Sequence, residues 1–264
     1  MKWGRCLLGK VTTTPGSRQR GRILPPPKPE PFIGTRMTTL LLWDIDGTLT
    51  LSGGAGMRAL QSALAREFGV DRSLADIDYA GRTDRHIVGQ IFALCSIPDT
   101  PASRTRLLEG YLAELPAALH NPGTRVLPGI RELVPRLAAR RDCALALLTG
   151  NIERGARIKL GHHGLSDYFH FGAFADDSPL RNELGPVALR RARERLGVEF
   201  AAERVFVIGD TPHDIECGKV IGARTVAVAT GQYSREELER HAPAFCFTDF
   251  SDGAAFFRAV GLAE

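Results

Sequence analysis

Three short polar clusters stand out as residues that could do chemistry together. They read Asp44-Ile45-Asp46-Gly47-Thr48, Thr149-Gly150-Asn151 and Gly209-Asp210-Thr211-Pro212-His213-Asp214. Each directly follows an apolar run, so each belongs where a buried strand ends, and open parallel sheets bind ligands outside the carboxyl ends of their strands. Four carboxylates brought to one sheet edge repel one another unless a cation neutralises them. Hard oxygen donors without histidine partners favour Mg2+. Alternation along an extended chain puts Asp44 and Asp46 on the same side. One could attack a substrate while the other handles a proton. Gly47 permits a sharp turn away from the strand, and Thr48 can donate to an anion. A lone Asp-x-Asp is often only a solvated turn; recurrence at three strand ends argues against that here.

The elements that must position these clusters alternate between strand and helix. Thr38 to Trp43 is a short apolar run, the pattern of a strand buried on both faces. Similar runs span Cys143–Leu148, Val205–Ile208 and Thr225–Ala229, with shorter strands expected at Phe171–Phe174 and Ala244–Phe247. Helical spacing covers 55–68, 84–95, 103–119, 129–140, 152–163, 185–196, 213–221, 234–240 and 252–260, with Pro98 and Pro101 separating the second from the third. Alternation of this kind argues for an α/β fold with a doubly wound parallel sheet. No strand separates the three helices over 55–119, so they read as an insertion after the first strand. Gly53, Gly54 and Gly56 fit a hinge at its start. Tyr111 and Phe92 fit packing within the insertion, and Arg190, Arg191, Arg193 and Arg195 read as a solvated helix face. His213 reads as a structural loop histidine.

In this order the three clusters resemble the haloacid dehalogenase superfamily of aspartate-nucleophile hydrolases, and most closely its phosphoglycolate-phosphatase-like phosphatases with a helical cap. The resemblance spans residues 39–250. It implies a Rossmann-like core over 39–54 and 126–264, and an α-helical cap domain over 55–125. It also implies a Mg2+-dependent phosphatase working through an aspartyl-phosphate. Asp44 would be the nucleophile, and Asp46 the acid to the leaving alcohol and then the base for water. Thr149 would bond the transferring phosphoryl group, with Gly47, Thr48, Gly150 and Asn151 around it. Asp44, the backbone carbonyl of Asp46, Asp210 and Asp214 would hold the metal. A carboxyl group among other carboxylates should have a raised pKa, which would suit Asp46 as an acid.

The family also needs a basic side chain beside nucleophile and phosphate. The family's usual Lys-Pro is absent, and the corresponding stretch reads Ser178-Pro179-Leu180-Arg181-Asn182-Glu183-Leu184. Lys159 and Arg181 are the two candidates. Lys159 has the first claim, since it and Lys219 are the only lysines after residue 28 in an Arg-rich chain. Gly81-Arg82-Thr83-Asp84 resembles the cap loop that reaches over the site. Arg82, with Thr83, could contact a substrate anion, and Asp84 could cap the following helix. The expected ligand is a small phosphorylated metabolite such as phosphoglycolate or a sugar phosphate. A phosphosugar mutase of the same fold and a non-catalytic binding or signalling protein are the alternatives.

The 264 residues are 44% hydrophobic and 24% charged, which excludes a disordered chain, and no apolar stretch is long enough to span a membrane. Five scattered cysteines without a Cys-x-x-Cys pair fit a reducing compartment and a cytoplasmic protein. Residues 1–38 carry eight Lys/Arg against Glu30 alone, so 39–264 hold −3 of the net +4. Nothing suggests nucleic-acid binding by that body, and oligomeric state is not legible. The basic, Pro-rich 1–38 reads as a disordered extension. It could be upstream of a functional start at Met37, a passive extension, or a transit or nucleic-acid-binding arm.

Overall fold

Consecutive apolar residues can be buried together only in a strand covered on both faces or a wholly enclosed helix, and the short runs take the first course. The computed structural model describes residues 38–263; the extension over 1–37 and the start at Met37 lie outside them. In chain order the elements are β1 (Thr39–Trp43), β2 (Thr50–Ser52), α1 (Ala55–Phe68), α2 (Asp84–Cys95), α3 (Pro101–Ala118), β3 (Thr124–Val126), α4 (Ile130–Ala138), β4 (Cys143–Leu148), α5 (Glu153–His162), β5 (Gly172–Ala173), α6 (Leu184–Leu196), β6 (Val205–Gly209), α7 (Pro212–Val220), β7 (Arg224–Val228), α8 (Arg235–Glu239), β8 (Phe245–Phe247) and α9 (Gly253–Ala259). Thr38, grouped with the extension on composition, is buried at the foot of β1.

The main sheet has six parallel strands in the order β5-β4-β1-β6-β7-β8. Alternation sorts the strand residues onto two faces. Leu41, Trp43, Leu145, Leu147, Phe206 and Ile208 pack with α4, α5 and α9 on one side. Leu40, Leu42, Ala144, Ala146, Val205 and Val207 pack with α6 and α7 on the other. Trp43 anchors the first face, stacked on Phe256 and edge-on to Phe250. Pairing of Trp43 with both Leu147 and Ile208 sets β1 between β4 and β6 in register, so all three end at one level. That register brings the three polar clusters together.

Between β2 and β3, α1, α2 and α3 pack around an apolar cluster that includes Leu60, Val88, Phe92 and Tyr111, joined by Ile152 and Ala175. Pro101 does not break the third helix but starts it: it occupies the first turn, where a missing N–H costs nothing, behind the N-cap Thr100. A feature unforeseen in the sequence joins insertion to sheet. β2 and β3 form a two-stranded antiparallel ribbon, with Leu51 opposite Arg125. Three-residue strands separated by some 70 positions leave no periodic signal. Asn121 ties the ribbon together, donating to Ser52 O, Ala118 O and Thr124 Oγ1. Gly53 turns there with φ +57°, so close to Gly123 that a Cβ would lie 2.8 Å from its backbone. Arg191, expected on a solvated face, is instead paired with Asp177 and bonded to Gly172 O, because the start of β5 lies within its reach. No helix among the described residues is long and apolar enough to cross a membrane.

Candidate active site

Asp44 is the first residue after β1, and its N–H still joins the ladder by donating to Ile208 O at 2.9 Å. The chain then turns tightly, with Gly47 at φ +84° donating to Thr50 O. A Cβ on Gly47 would lie 2.2 Å from Asp210 Oδ2, and one on Gly231, in the loop after β7, 1.7 Å from the same oxygen. Two glycines therefore make the room in which Asp210 stands. Thr230, beside Gly231, donates to Gly47 O at 2.5 Å and locks these loops together. The sequence reading missed this loop, although a glycine two residues beyond a buried strand was an available signal.

Asp44, Asp210 and Asp214 are buried, with one carboxylate oxygen from each lying within 4.8 Å of the others. Asp214 is held by α7: its Oδ2 accepts from Thr211 N at 3.0 Å and Thr211 Oγ1 at 2.8 Å. Thr48, expected to face an anion, donates instead to Asp210 Oδ1 at 3.3 Å, because its side chain is enclosed beneath the carboxylates. Burial, then the Asp214 and Asp44 charges, push the Asp210 carboxyl well above the ordinary range. Burial pushes Asp44 up to about 6, with Arg181 opposing and the Asp214 and Asp46 charges adding. Such a set of hard oxygen donors, short of positive charge, suits a divalent cation of the magnesium type. Asp44, Asp210 and Asp214 would hold it.

The question of the basic residue resolves into two cations with separate partners. Arg181, in a 3-10 turn before α6, is buried and bonds Asp44 Oδ1 at 3.0 Å, Leu148 O at 3.3 Å and Asp214 Oδ1. Its Nε has no partner among the described residues. Arg181, not Lys159, therefore sits against Asp44, because the loop after β5 delivers it under the sheet edge while α5 points Lys159 elsewhere. Lys159 Nζ is buried 2.6 Å from Asp46 Oδ2 and 2.6 Å from Asn151 Oδ1. Asn151 Nδ2 also donates to Asp46 Oδ2 at 2.9 Å and to Thr149 Oγ1 at 2.9 Å. The Asp46 carboxylate thus turns to Lys159 and stands apart from the carboxylate cluster.

This pairing reverses one expectation. Enclosure would raise the Asp46 carboxyl, but the Lys159 charge and hydrogen bonds from Lys159 and Asn151 outweigh it and hold the group below its usual range. Neighbouring carboxylates would have won only without a cation at contact distance. Burial tends to lower the Lys159 ammonium, yet the Asp46 and Asp84 charges keep it raised and protonated.

The cap loop seats directly on the second cluster. Asp84 N donates to Gly150 O at 2.7 Å, and Gly150 must lack a side chain because a Cβ would meet Arg82 O at 2.2 Å. Thr83, not Asp84, caps α2: its Oγ1 accepts from His86 N at 3.1 Å and donates to Pro179 O at 2.6 Å. Thr83 is buried by these bonds and is not among the residues lining the cavity. Asp84 is buried, and its Oδ2 accepts from Ile152 N at 2.8 Å, at the free N-terminus of α5. Burial raises its carboxyl to about 6 despite Lys159. Arg82 lines the cavity but pairs with Asp78 at 2.8 Å. His213 is half-buried beneath Gly81, whose Cβ would approach the ring at 2.8 Å.

A cavity of about 720 Å³ lies between sheet edge and cap, and Asp44, Asp46, Lys159, Arg181 and Asp210 all open onto it. Thr149 is fully buried behind Asn151 and is not a lining residue. At the mouth, core Gln232 donates to cap Tyr79 Oη at 2.8 Å. The arrangement offers one carboxylate beside a metal-type cluster and a guanidinium, and a second held by an ammonium. That is a set suited to moving a phosphoryl group.

Residues 182–253 match the family described as HAD-hydrolase-like. The chain is 30% identical over 226 residues to the phosphoglycolate phosphatase of Rhodospirillum rubrum, covering 81% of this chain and 89% of that one. It is 28% identical over 233 residues to phosphoglycolate phosphatase 1 of Pseudomonas aeruginosa, covering 84% and 81%. Among solved structures, CbbY from Rhodobacter sphaeroides in complex with phosphate superposes with a TM-score of 0.65 at 20% identity, over 82% of this chain and 96% of that one.

Proposed function

The chain belongs to the haloacid dehalogenase superfamily, among its phosphoglycolate-phosphatase-like phosphoric monoester hydrolases, and from that premise we propose that it cleaves a small phosphate monoester through a phosphoryl group carried on Asp44. One observation carries the reading. Asp44 leaves the central strand into a cavity where Arg181 and the Asp210–Asp214 pair flank it, and where Asp46 opens on the same space. Capture by a carboxylate and release by water split one difficult hydrolysis into two easier steps.

Asp44 supplies the attacking oxygen, and Arg181 orients it while offering positive charge to the phosphoryl oxygens. Asp44, Asp210 and Asp214 would hold Mg2+, which would supply charge neutralisation at the transferring group. Burial disfavours the ionised form of Asp44, and Arg181 opposes that effect. Asp46, held ionised by Lys159 and Asn151, is placed to take a proton from water in the second step. The proton needed by the leaving alcohol enters with the substrate. A phosphate monoester ionises a second time near pH 6, and its oxyanions raise the proton affinity of the carboxylate they approach. Asp46 then passes that proton to the departing oxygen. The cap loop, docked through Asp84 and Thr83, encloses the site and limits competing water.

The test is phosphate release from a panel of monoesters, with and without Mg2+, by the wild type and Asp44→Asn. Release should require the metal and vanish in the variant. Activity surviving in Asp44→Asn would sink the mechanism.

A further inference from the structure

Tyr111 belongs to the apolar cluster of the cap and is 1% exposed, yet its hydroxyl has no hydrogen-bond partner among the described residues. A buried hydroxyl without a partner costs free energy, and native chains rarely keep one without use. Tyr111 is one of the residues that line the cavity. On α5, a Cβ at Gly155 would lie 3.3 Å from the hydroxyl oxygen, so the glycine leaves room beside it. One helical turn further on the same face stands Lys159, which holds Asp46. The Asp46 Oδ1 atom is likewise buried and without a partner among the described residues, which leaves it open to a proton on a leaving oxygen. Burial and the Asp84 and Asp46 charges raise the Tyr111 phenol well above its usual range, so it stays a donor.

Resting on the phosphatase reading above, we propose that the Tyr111 hydroxyl is a specificity determinant, donating a hydrogen bond to an acceptor oxygen, such as a carboxylate, on the alcohol part of the ester. Gly155 is part of this subsite because it keeps the space before the hydroxyl empty.

The experiment compares 2-phosphoglycolate, whose leaving alcohol carries a carboxylate, with ethyl phosphate, which has no such acceptor. For Tyr111→Phe the ratio of kcat/KM for the two esters should fall roughly ten- to hundred-fold, the worth of one hydrogen bond to a charged group. The thermal midpoint of the unliganded variant should hold or rise, since the group removed had no partner. Gly155→Ala, which favours the helix and fills the gap, should reproduce the fall with the hydroxyl intact. An unchanged ratio in both variants overturns the assignment, as does a lower midpoint with no change in ratio, which marks the hydroxyl as structural. Wild type that cleaves ethyl phosphate but not 2-phosphoglycolate overturns the inference alone. Wild type that cleaves neither overturns the phosphatase reading beneath it.

Discussion

Asp84→Asn isolates the energetic consequence of docking a cap carboxylate into the core. The Asp84 carboxyl is 8% exposed, and burial raises its pKa from 3.8 to about 6 against the opposing Lys159 charge. A shift of about 2 units at 1.36 kcal/mol each amounts to about 3 kcal/mol. The sign follows from proton binding. Between pH 4 and 6 the folded protein holds a proton that the unfolded chain has released, so this group's contribution is fully present below pH 4 and lost as pH rises through 6. Asparagine keeps an oxygen for Ile152 N–H but does not titrate. Urea unfolding of both proteins should be followed from pH 4 to 8 in the presence of a chelator. The stability of Asp84→Asn relative to wild type should climb by about 3 kcal/mol between pH 4 and 7 and then level off. Asp44 titrates in both proteins and cancels from the difference, as does any constant offset from the amide. A difference flat across that range would refute the idea that Asp84 is held as a buried, destabilised carboxylate.

Two further substitutions separate the two cations. Arg181→Met strands Asp44 and Asp214 without their shared partner, so metal-free unfolding free energy should fall by about 3–5 kcal/mol, with added Mg2+ narrowing the loss in the same denaturation assay. Lys159→Met removes the charge that holds the Asp46 carboxyl low, so the acidic limb of the kcat/KM profile should move to higher pH.

The fold and the ingredients of the site were readable because they depend on local pattern. Fully apolar runs such as Leu40–Trp43 and Cys143–Leu148 admit few structures besides strands covered on both faces. A polar cluster after each such run must then collect at one edge, because parallel strands all end on the same side. The helices of the cap were legible for the same reason, as 3.6-residue periodicity is carried by neighbours in the chain. The resemblance rested on these clusters, and the two phosphoglycolate phosphatases match the chain over most of its length.

Which charge meets which was decided only by tertiary structure. Nothing in the spacing told Arg181 from Lys159, since each lies far from Asp44 and Asp46 in sequence. The path of the loop after β5 brought one to Asp44, and the pitch of α5 brought the other to Asp46. A pKa depends on the nearest charge and on enclosure, so Asp46 fell where a count of neighbouring acids said it should rise. The same holds for Thr48, Thr83 and Tyr111, whose hydroxyls are alike in sequence. Folding turned the first toward Asp210 and the second toward Pro179, and left the third facing the space before Gly155. Local periodicity specifies an element and its buried face, whereas a hydrogen bond is settled within a few tenths of an ångström by the packing of elements distant in the chain.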